Sequence, residues 1–285
     1  MDKNFKTMKV ETISDQLLFS TVRIEIATDD SKTGVGTGCI VMKRIDDNKS
    51  AIFLVTNKHV IEGAKNGKIF FLKKENDKPI LGDKLDVIFN DFERNWIAHK
   101  EADLAILPIA KILQELKKQK NFEPFFKAIP LDLVPSDEQA QDLDSLEEVI
   151  FIGYPIGLYD TKNLLPIIRR GITATPLFID YEGQKKFLID AAVFPGSSGS
   201  PVFIYNKGGY RDRKGNIIIG TDRIYFCGII SETYIMNDKV EIKNIKIPLQ
   251  EKSIIRSRQI INLGVVIKSS LIKEFIEQIL SNTIE

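Results

Sequence analysis

Three short segments of this chain carry residue types that act together in acyl-transfer chemistry. The segment FPGSSGSPVF, residues 194–203, places Ser198 between Gly196 and Gly199. A nucleophilic serine needs a tight turn that exposes its hydroxyl, with backbone N–H groups directed at the developing oxyanion. Glycine permits the φ and ψ angles of such a turn, so the N–H groups of Gly196 and Ser198 are the natural oxyanion donors. The alternative is an ordinary glycine- and serine-rich surface turn.

Two histidines are candidates for the base that this serine requires. His59 follows the apolar stretch AIFLVTN, at a strand end where a cleft could form, whereas His99 lies four residues before Asp103. Asp103 precedes the apolar run LAILPI, so its carboxylate would be half-buried and within reach of an imidazole. Each residue alone has a structural alternative. The order His59, Asp103, Ser198 is one of three chain orders known for a catalytic triad, and it predicts one here.

Short β-like runs separated by Gly, Asn and Asp dominate both halves of the chain. Examples are AIFLVTN and DLAILPI in the first half, and EEVIFIGYP and IYFCGII in the second. Many short strands joined by turns predict a sandwich or a barrel. AKILQELKKQKN has a helical pattern and begins a polar connection between the halves, and SSLIKEFIEQILSN near the end has the pattern of an amphipathic helix.

Composition and charge limit the function classes. The 285 residues are 43% hydrophobic and 28% charged, with a net charge of +1. This balance is typical of a soluble globular protein, and it favours neither nucleic acid nor an acidic membrane surface as a partner. No apolar run is long enough for a signal peptide or a membrane span. Cys39 and Cys227 lie in apolar segments and are predicted to be reduced, buried thiols, which favours the cytoplasm.

The motifs TNKHV, ADLAIL and GSSGSP resemble the histidine, aspartate and serine motifs of trypsin-like serine peptidases of the chymotrypsin fold, especially the bacterial HtrA-like proteases. GTGCIV, FIGYPIG and LGVVIKSSLIKEF extend the resemblance over roughly residues 15–280. It implies an all-β fold of two antiparallel six-stranded β-barrels followed by a C-terminal α-helix. Too few residues follow that helix for the PDZ domain that HtrA-like enzymes often add, so none is expected.

The resemblance divides the chain into four segments. These are an N-terminal barrel with the histidine and the aspartate, a connection with a short helix, a C-terminal barrel with the serine, and a helix: residues 15–109, 110–147, 148–268 and 269–285. The implied activity is that of a serine endopeptidase that acts through an acyl-enzyme and needs no metal and no cofactor. Ser197 stands where zymogen-activated relatives carry an acidic residue, so activation by a newly cut N-terminus is not expected.

The resemblance also predicts the substrate pocket. Ala192, six residues before the nucleophile, would lie at the floor of the primary specificity pocket, where a buried cation would have no partner. A small or medium apolar residue is therefore predicted before the cut bond. Four consecutive residues are predicted to form the pocket wall and to pair with the substrate as an added strand: Gly228, Ile229, Ile230 and Ser231.

Other interpretations remain. The chain could be an inactive trypsin-like fold kept as a binding or scaffold module. Residues 33–40, TGVGTGCI, could form a phosphate cradle, although they lack the Gly-Lys-Ser/Thr ending of a P-loop. Residues 232–262 are predicted to be either a hairpin with a loop near the pocket or a partner surface. The expected partners are a polypeptide substrate and a regulatory or sensor protein, in quality control or in phage defence.

Overall fold

The computed structural model describes residues 6–28, 32–120, 122–236, 242–246 and 259–282. In this part of the chain, β-strands form two large sheets and one small hairpin, and five α-helices accompany them. The predicted all-β fold with a C-terminal helix is confirmed.

The first half forms a sheet of ten strands within the described residues. In chain order these are β1 (Lys6–Thr7), β2 (Thr21–Thr28), β3 (Thr33–Arg44), β4 (Ser50–Thr56), β5 (Ala64–Glu75), β6 (Lys78–Asn90), β7 (Ile97–Ala98), β8 (Ala105–Pro108), β9 (Pro124–Phe125) and β10 (Ile129–Pro130). Their spatial order is β1-β6-β5-β2-β3-β4-β8-β7, with β9 added to β5 and β10 added to β3. The pairing of β10 with β3 is parallel, unlike the antiparallel pairings of the prediction.

The second half forms a closed barrel. Its strands are β11 (Glu148–Gly153), β12 (Ile167–Thr173), β13 (Lys186–Asp190), β14 (Pro201–Asn206), β17 (Arg223–Met236), β18 (Ile242–Lys246) and β19 (Gln259–Lys268), and a separate hairpin contains β15 (Gly209–Arg211) and β16 (Ile217–Ile219). The order is β14-β11-β12-β13-β19-β17, and the pairing of β14 with β17 closes this six-stranded ring. β18 pairs with the outer part of β17.

The helices are short except for two. They are α1 (Ile13–Leu18), α2 (Lys58–Ile61), α3 (Ala110–Lys120), α4 (Asp137–Gln141) and α5 (Ser269–Ser281). In α5 the buried positions Ile272, Phe275 and Ile276 recur at helical spacing, as expected for an amphipathic helix that packs on one face.

The strand β4 shows why several strands are apolar throughout. Phe53 and Val55 belong to one hydrophobic cluster, and Leu54 between them belongs to another. Successive side chains of a strand point to opposite faces, so β4 is buried on both sides. One side faces the interior of the first sheet, and the other faces the second half of the molecule.

A hydrophobic cluster between the two halves, here called the interface core, joins them. Val55 and Ile106 enter it from the first sheet, Phe226 and Ile267 enter it from the second barrel, and Ile276 enters it from α5. All five residues are fully buried. The interface core therefore fixes the position of one half against the other.

The predicted segment boundaries stay a prediction, but the structure adds to them. The predicted connection, residues 110–147, contains α3 as expected. It also contains β9 and β10, which pair with β5 and β3, so part of the connection belongs to the first sheet. The second barrel begins at Glu148, and α5 begins at Ser269. Residues 283–285 of the predicted helix lie outside the described residues.

Candidate active site

The three predicted triad residues form one hydrogen-bonded chain. His59, in the single turn of α2 after β4, places its Nδ1 2.7 Å from Oδ2 of Asp103 and its Nε2 2.9 Å from Oγ of Ser198. Its backbone N–H also donates to Oδ1 of Asp103, at 2.9 Å. The side chains of His59 and Asp103 are only 8% and 5% exposed. The two carboxylate bonds hold the imidazole in one orientation toward the serine.

Asp103 is held as a carboxylate. Burial favours its neutral form, but the side-chain hydrogen bond and charge of His59, its backbone N–H and the Ser231 hydroxyl outweigh burial and lower the pKa of Asp103 to about 2. The Ser231 hydroxyl donates to Oδ2 at 2.8 Å, and the side-chain amide of Asn57 donates to the Asp103 carbonyl at 2.9 Å. At neutral pH a negative charge therefore faces His59.

Two glycines shape the loop around Ser198. Gly196 has φ +88° and Gly199 has φ +85°, in the region that favours glycine. A Cβ on Gly199 would overlap the carbonyl oxygen of Thr37, and one on Gly196 would overlap the carbonyl oxygen of Tyr154. The glycines of the serine motif are thus required both by the backbone torsion and by close packing.

The predicted oxyanion donors, the N–H groups of Gly196 and Ser198, lie in this loop. In the part of the chain that the structure describes, neither the N–H of Gly196 nor that of Ser198 donates to a protein atom. The N–H of Ser197, between them, donates to the carbonyl of Phe194 at 3.0 Å. Two unused donors therefore flank a used one, beside the Ser198 hydroxyl.

The predicted pocket wall is wrong for three of its four residues. Gly228, Ile229 and Ile230 are buried inside the barrel, where β19 pairs with one edge of β17. On the other edge, β14 pairs with Gly228 and Ile229, and the N–H of Ile230 donates to the carbonyl of Ser200. Their backbone groups are already engaged and cannot pair with a substrate. The fourth residue, Ser231, contacts the triad carboxylate instead.

The surroundings of Ala192 are apolar. Ala192 is half-buried, and its chain neighbours Ala191 and Val193 are buried. Val193 packs against Gly264 of β19, where an added Cβ would lie 2.6 Å from a Val193 methyl group. Asp190, two residues before Ala192, is exposed at the end of β13, where it pairs with Ile172 of β12 and Leu263 of β19.

His99 has a structural environment. Its Nδ1 accepts the backbone N–H groups of Glu101 and Ala102 at 3.2 and 2.9 Å. Its ring lies edge-on against Phe275 of α5, with 4.9 Å between ring centroids. His99 thus supports the turn that leads to Asp103.

The glycine-rich residues 33–40 do not form a phosphate cradle. They lie in β3, whose backbone pairs with β2 along this segment and with β4 beyond it. A phosphate cradle needs free N–H groups that converge at a loop, usually before a helix. The segment instead crosses behind the nucleophile loop.

Residues 232–262 are described only in part. β17 continues to Met236, and β18 pairs with Glu232–Met236 on the edge opposite β19. The predicted hairpin is present to this extent. Residues 237–241 and 247–258 lie outside the described residues.

Both cysteines are free and buried, as predicted. Burial raises the pKa of both thiols, that of Cys227 to about 12. No group of three or more His, Cys, Asp or Glu in the described residues could hold a metal ion. No helix in the same residues has the length and apolar character needed to span a membrane.

Two residues that support the site were not singled out from the sequence for this role. The sequence predicts Ser231 in the pocket wall, and Thr37 lies within the glycine-rich residues 33–40 considered as a phosphate cradle. The hydroxyl of Thr37 contacts the nucleophile loop across the two halves of the molecule. The sequence does carry a signal for Thr37, which is a polar residue between two glycines in an apolar strand. A buried hydroxyl requires a hydrogen-bond partner, so such a position indicates a contact with another segment.

Comparison with known proteins agrees with this architecture. The family model of the trypsin-like peptidase domain matches residues 36–209. The serine protease Do-like HtrA of Bacillus subtilis (strain 168) is 26% identical over 181 residues, which are 62% of this chain and 32% of that protein. The match thus spans about a third of the length of this relative.

Solved structures with distant sequences were also found. HL collagenase is 13% identical, with a TM-score of 0.46 over 98% of this chain and 97% of its own. A catalytically inactive tobacco etch virus protease complexed with substrate is 13% identical, with a TM-score of 0.42 over 78% of this chain and 76% of its own.

The family match covers more than half of the chain and includes His59, Asp103 and Ser198. The chain belongs to the trypsin-like peptidase family.

Proposed function

We propose that the chain is a serine endopeptidase with His59, Asp103 and Ser198 as its catalytic triad. The observation that carries this proposal is the unbroken path from the Asp103 carboxylate through His59 to the Ser198 hydroxyl, with contacts of 2.7 and 2.9 Å. These distances lie within the range over which a base accepts the proton of a nucleophile. The similarity to an HtrA serine protease supports the same assignment.

In the proposed mechanism, Ser198 Oγ attacks the carbonyl carbon of a peptide bond while His59 Nε2 takes the hydroxyl proton. The imidazolium is stabilised by the Asp103 carboxylate, and it then protonates the leaving amine. Water then attacks the acyl-enzyme while His59 takes its proton, and His59 returns the proton to Ser198 Oγ as the ester bond breaks and the carboxylic acid product leaves. The carboxylate stays ionised down to about pH 2, so protonation of Asp103 does not limit activity near neutral pH.

The N–H groups of Gly196 and Ser198 would stabilise the negative oxygen of each tetrahedral intermediate. Their lack of protein acceptors in the described chain supports this role. Removal of one such donor typically lowers kcat by about 10²–10³. The two N–H groups would not have to reorient during the reaction, since the surrounding loop is already hydrogen-bonded.

For specificity, we propose cleavage after small or medium apolar residues. The half-buried Ala192 and its buried apolar neighbours support this proposal, since they offer no counter-charge to a lysine or arginine side chain. A peptide series that varies only the residue before the cut bond tests it. Preference for alanine, valine or leucine is expected, and a strong preference for arginine would reject it.

The experiment for the activity uses a fluorophosphonate probe and a casein or peptide substrate. Wild type should be labelled at one serine and should hydrolyse the substrate, and Ser198→Ala should do neither. The two histidines provide a matched pair. His59→Ala should lose activity by several orders of magnitude, and His99→Ala should keep it in the folded fraction, because its ring contacts no triad atom. Equal losses in the two histidine variants would contradict the assignment.

The second candidate is a catalytically silent trypsin-like fold that binds other proteins. Here a well-folded wild type would fail to react with the probe.

For the cellular setting we propose the cytoplasm, supported by the two unpaired cysteines. We propose a polypeptide substrate and a regulatory or sensor protein as partners. Cell fractionation followed by affinity capture with Ser198→Ala as bait tests both points.

A further inference from the structure

Thr37 of β3 joins the first sheet to the nucleophile loop. It is fully buried, and its Oγ1 donates to the carbonyl of Gly196 at 2.9 Å. The same oxygen accepts the backbone N–H of Tyr154 at 3.2 Å and the hydroxyl of Ser200 at 3.3 Å. A hydroxyl has one donor and two acceptor sites, so all the hydrogen-bonding capacity of this side chain is used.

These contacts fix the backbone on both sides of the first oxyanion donor. The Thr37 hydroxyl holds the carbonyl of the peptide unit that follows Gly196. The carbonyl of the preceding unit, that of Pro195, accepts the N–H of Ile156 at 2.5 Å. The two units share the Cα of Gly196, whose φ of +88° is open to rotation because glycine has no Cβ. The following unit is also held by the N–H of Ser197, which donates to the carbonyl of Phe194 at 3.0 Å. Loss of the Thr37 contact would leave this unit less restrained, and with it the geometry at the Cα that carries the Gly196 N–H.

The side chain of the residue next to the nucleophile provides no such anchor. Ser197 is 1% exposed, and its hydroxyl has no hydrogen-bond partner among the described residues. It also has no charge with which to form an ion pair. The loop is therefore held by its own backbone hydrogen bonds and by contacts from neighbouring segments, and Thr37 supplies a side-chain contact to the Gly196 carbonyl from the other half of the molecule.

We propose that Thr37 is a positioning residue that keeps the oxyanion site assembled in the uncut chain. Its hydroxyl holds the Gly196 carbonyl, and this keeps the Gly196 N–H available to the substrate without a charged partner. The inference rests on the proposed peptidase function, but it concerns only the state of the oxyanion site. It implies that the oxyanion site is formed before substrate arrives.

The test compares Thr37→Val, which removes the hydroxyl at nearly constant volume, with Thr37→Ser, which keeps it. Steady-state kinetics on one peptide substrate should show kcat lowered about 10- to 100-fold in Thr37→Val, less than or similar to the loss of a whole oxyanion donor. KM should change less than about threefold, because the threonine contacts no substrate. Thr37→Ser should restore kcat to within about threefold of wild type. The pH profile of kcat/KM should keep its midpoint, since His59 and Asp103 are untouched.

Thr173 of β12 provides the matched control. It is also buried, and its hydroxyl donates to the Ser145 carbonyl at 2.8 Å and accepts the N–H of Glu147 at 2.8 Å, outside the triad and its loop. Thr173→Val should lower the thermal midpoint but leave kcat of the folded enzyme unchanged. If Thr37→Val does not fold, Thr37→Ala replaces it.

Two results would overturn the proposal while the peptidase function stands. One is a folded Thr37→Val or Thr37→Ala enzyme with wild-type kcat, and the other is a Thr37→Ser enzyme as impaired as Thr37→Val. A wild-type protein that neither hydrolyses peptides nor reacts with the fluorophosphonate would instead remove the proposed function itself. The two failures are therefore distinguishable.

Discussion

At the scale of single residues, Gly196 and Gly215 have nearly the same backbone torsion in opposite surroundings. Their φ angles are +88° and +87°. An added Cβ at Gly196 would overlap the Tyr154 carbonyl, whereas one at Gly215 would meet nothing within 4 Å. The pair therefore separates the cost of the torsion from the cost of the packing.

For Gly215→Ala we expect only the torsional penalty, about 1–2 kcal/mol of unfolding free energy, and unchanged kcat. Gly196→Ala should lose stability as well, but it should also lower kcat by about 10²–10³, because the new methyl group displaces an oxyanion donor. Urea denaturation and peptide hydrolysis of both variants measure this. Similar kcat values for the two would show that the Gly196 amide has no part in the reaction.

The residue scale is also where prediction from sequence worked best and where it failed. The contact among His59, Asp103 and Ser198 was predictable because each residue lies beside an apolar run, within a distinctive motif. Ser231 was not assigned to Asp103 because β17 is 14 residues long, and its side-chain pattern does not say which part passes the triad. The register shift after Ile230 decides that point, and it depends on the neighbouring strand β19.

At the scale of elements, a buried ion pair connects the second barrel to the segments around it. Arg223 at the start of β17 contacts Oε2 of Glu147 at 2.5 Å, and both side chains are less than 10% exposed. Arg223 also donates to the side chain of Asn206 at the end of β14 at 2.8 Å. Its guanidinium lies 4.3 Å from the ring centre of Tyr210 in the β15–β16 hairpin. One side chain thus ties two barrel strands, the connection and the hairpin together.

We expect Arg223→Met to lower the free energy of unfolding by about 3–5 kcal/mol, because it leaves the Glu147 carboxylate buried without its partner. The double variant Arg223→Met/Glu147→Leu should recover most of this loss. The exposed pair Lys43–Glu277, at 2.9 Å, is the control, and its disruption should cost less than about 1 kcal/mol. Chemical denaturation measures the free energy of unfolding of wild type, of Arg223→Met, of the double variant and of a variant that lacks the Lys43–Glu277 pair. A double variant as unstable as the single one would contradict this account.

Elements differ in how far the sequence predicts them. Long apolar runs predicted β4, β11 and α5, because burial of one or both faces is visible in the pattern of the chain itself. The two-residue strands β9 and β10 were assigned to a polar connection. Each contains a proline and takes its structure from pairing with β5 or β3, so nothing within these short segments identifies them.

At the scale of the whole molecule, the interface core holds the two halves in register. The histidine and aspartate come from one half and the serine from the other, so the 2.9 Å contact between His59 and Ser198 depends on this packing. The fully buried Ile276 lies in the interface core, and the fully buried Ile69 lies in a cluster of the first half alone. Replacing each isoleucine by alanine therefore removes the same side-chain atoms, once inside the interface core and once outside it.

Ile276→Ala and Ile69→Ala should each lower the free energy of unfolding by about 2–5 kcal/mol through the cavity that they leave. Only Ile276→Ala should also lower kcat in the folded state, since it alone loosens the contact between the halves. Chemical denaturation gives the free energy of unfolding. Peptide hydrolysis, with the active enzyme counted by active-site titration, gives kcat. Equal kcat values in the two variants would show that triad geometry does not depend on the interface core.

The division of the triad between the halves has a consequence during translation. A ribosome completes the segment with His59 and Asp103 long before it reaches Ser198, and the apolar side of β4 that carries Phe53 and Val55 has no cover until β17, β19 and α5 have emerged. A nascent chain that ends before Ser198 therefore carries two of the three residues and leaves this apolar face uncovered. The activity that we propose can therefore appear only after the second barrel has docked on the first half.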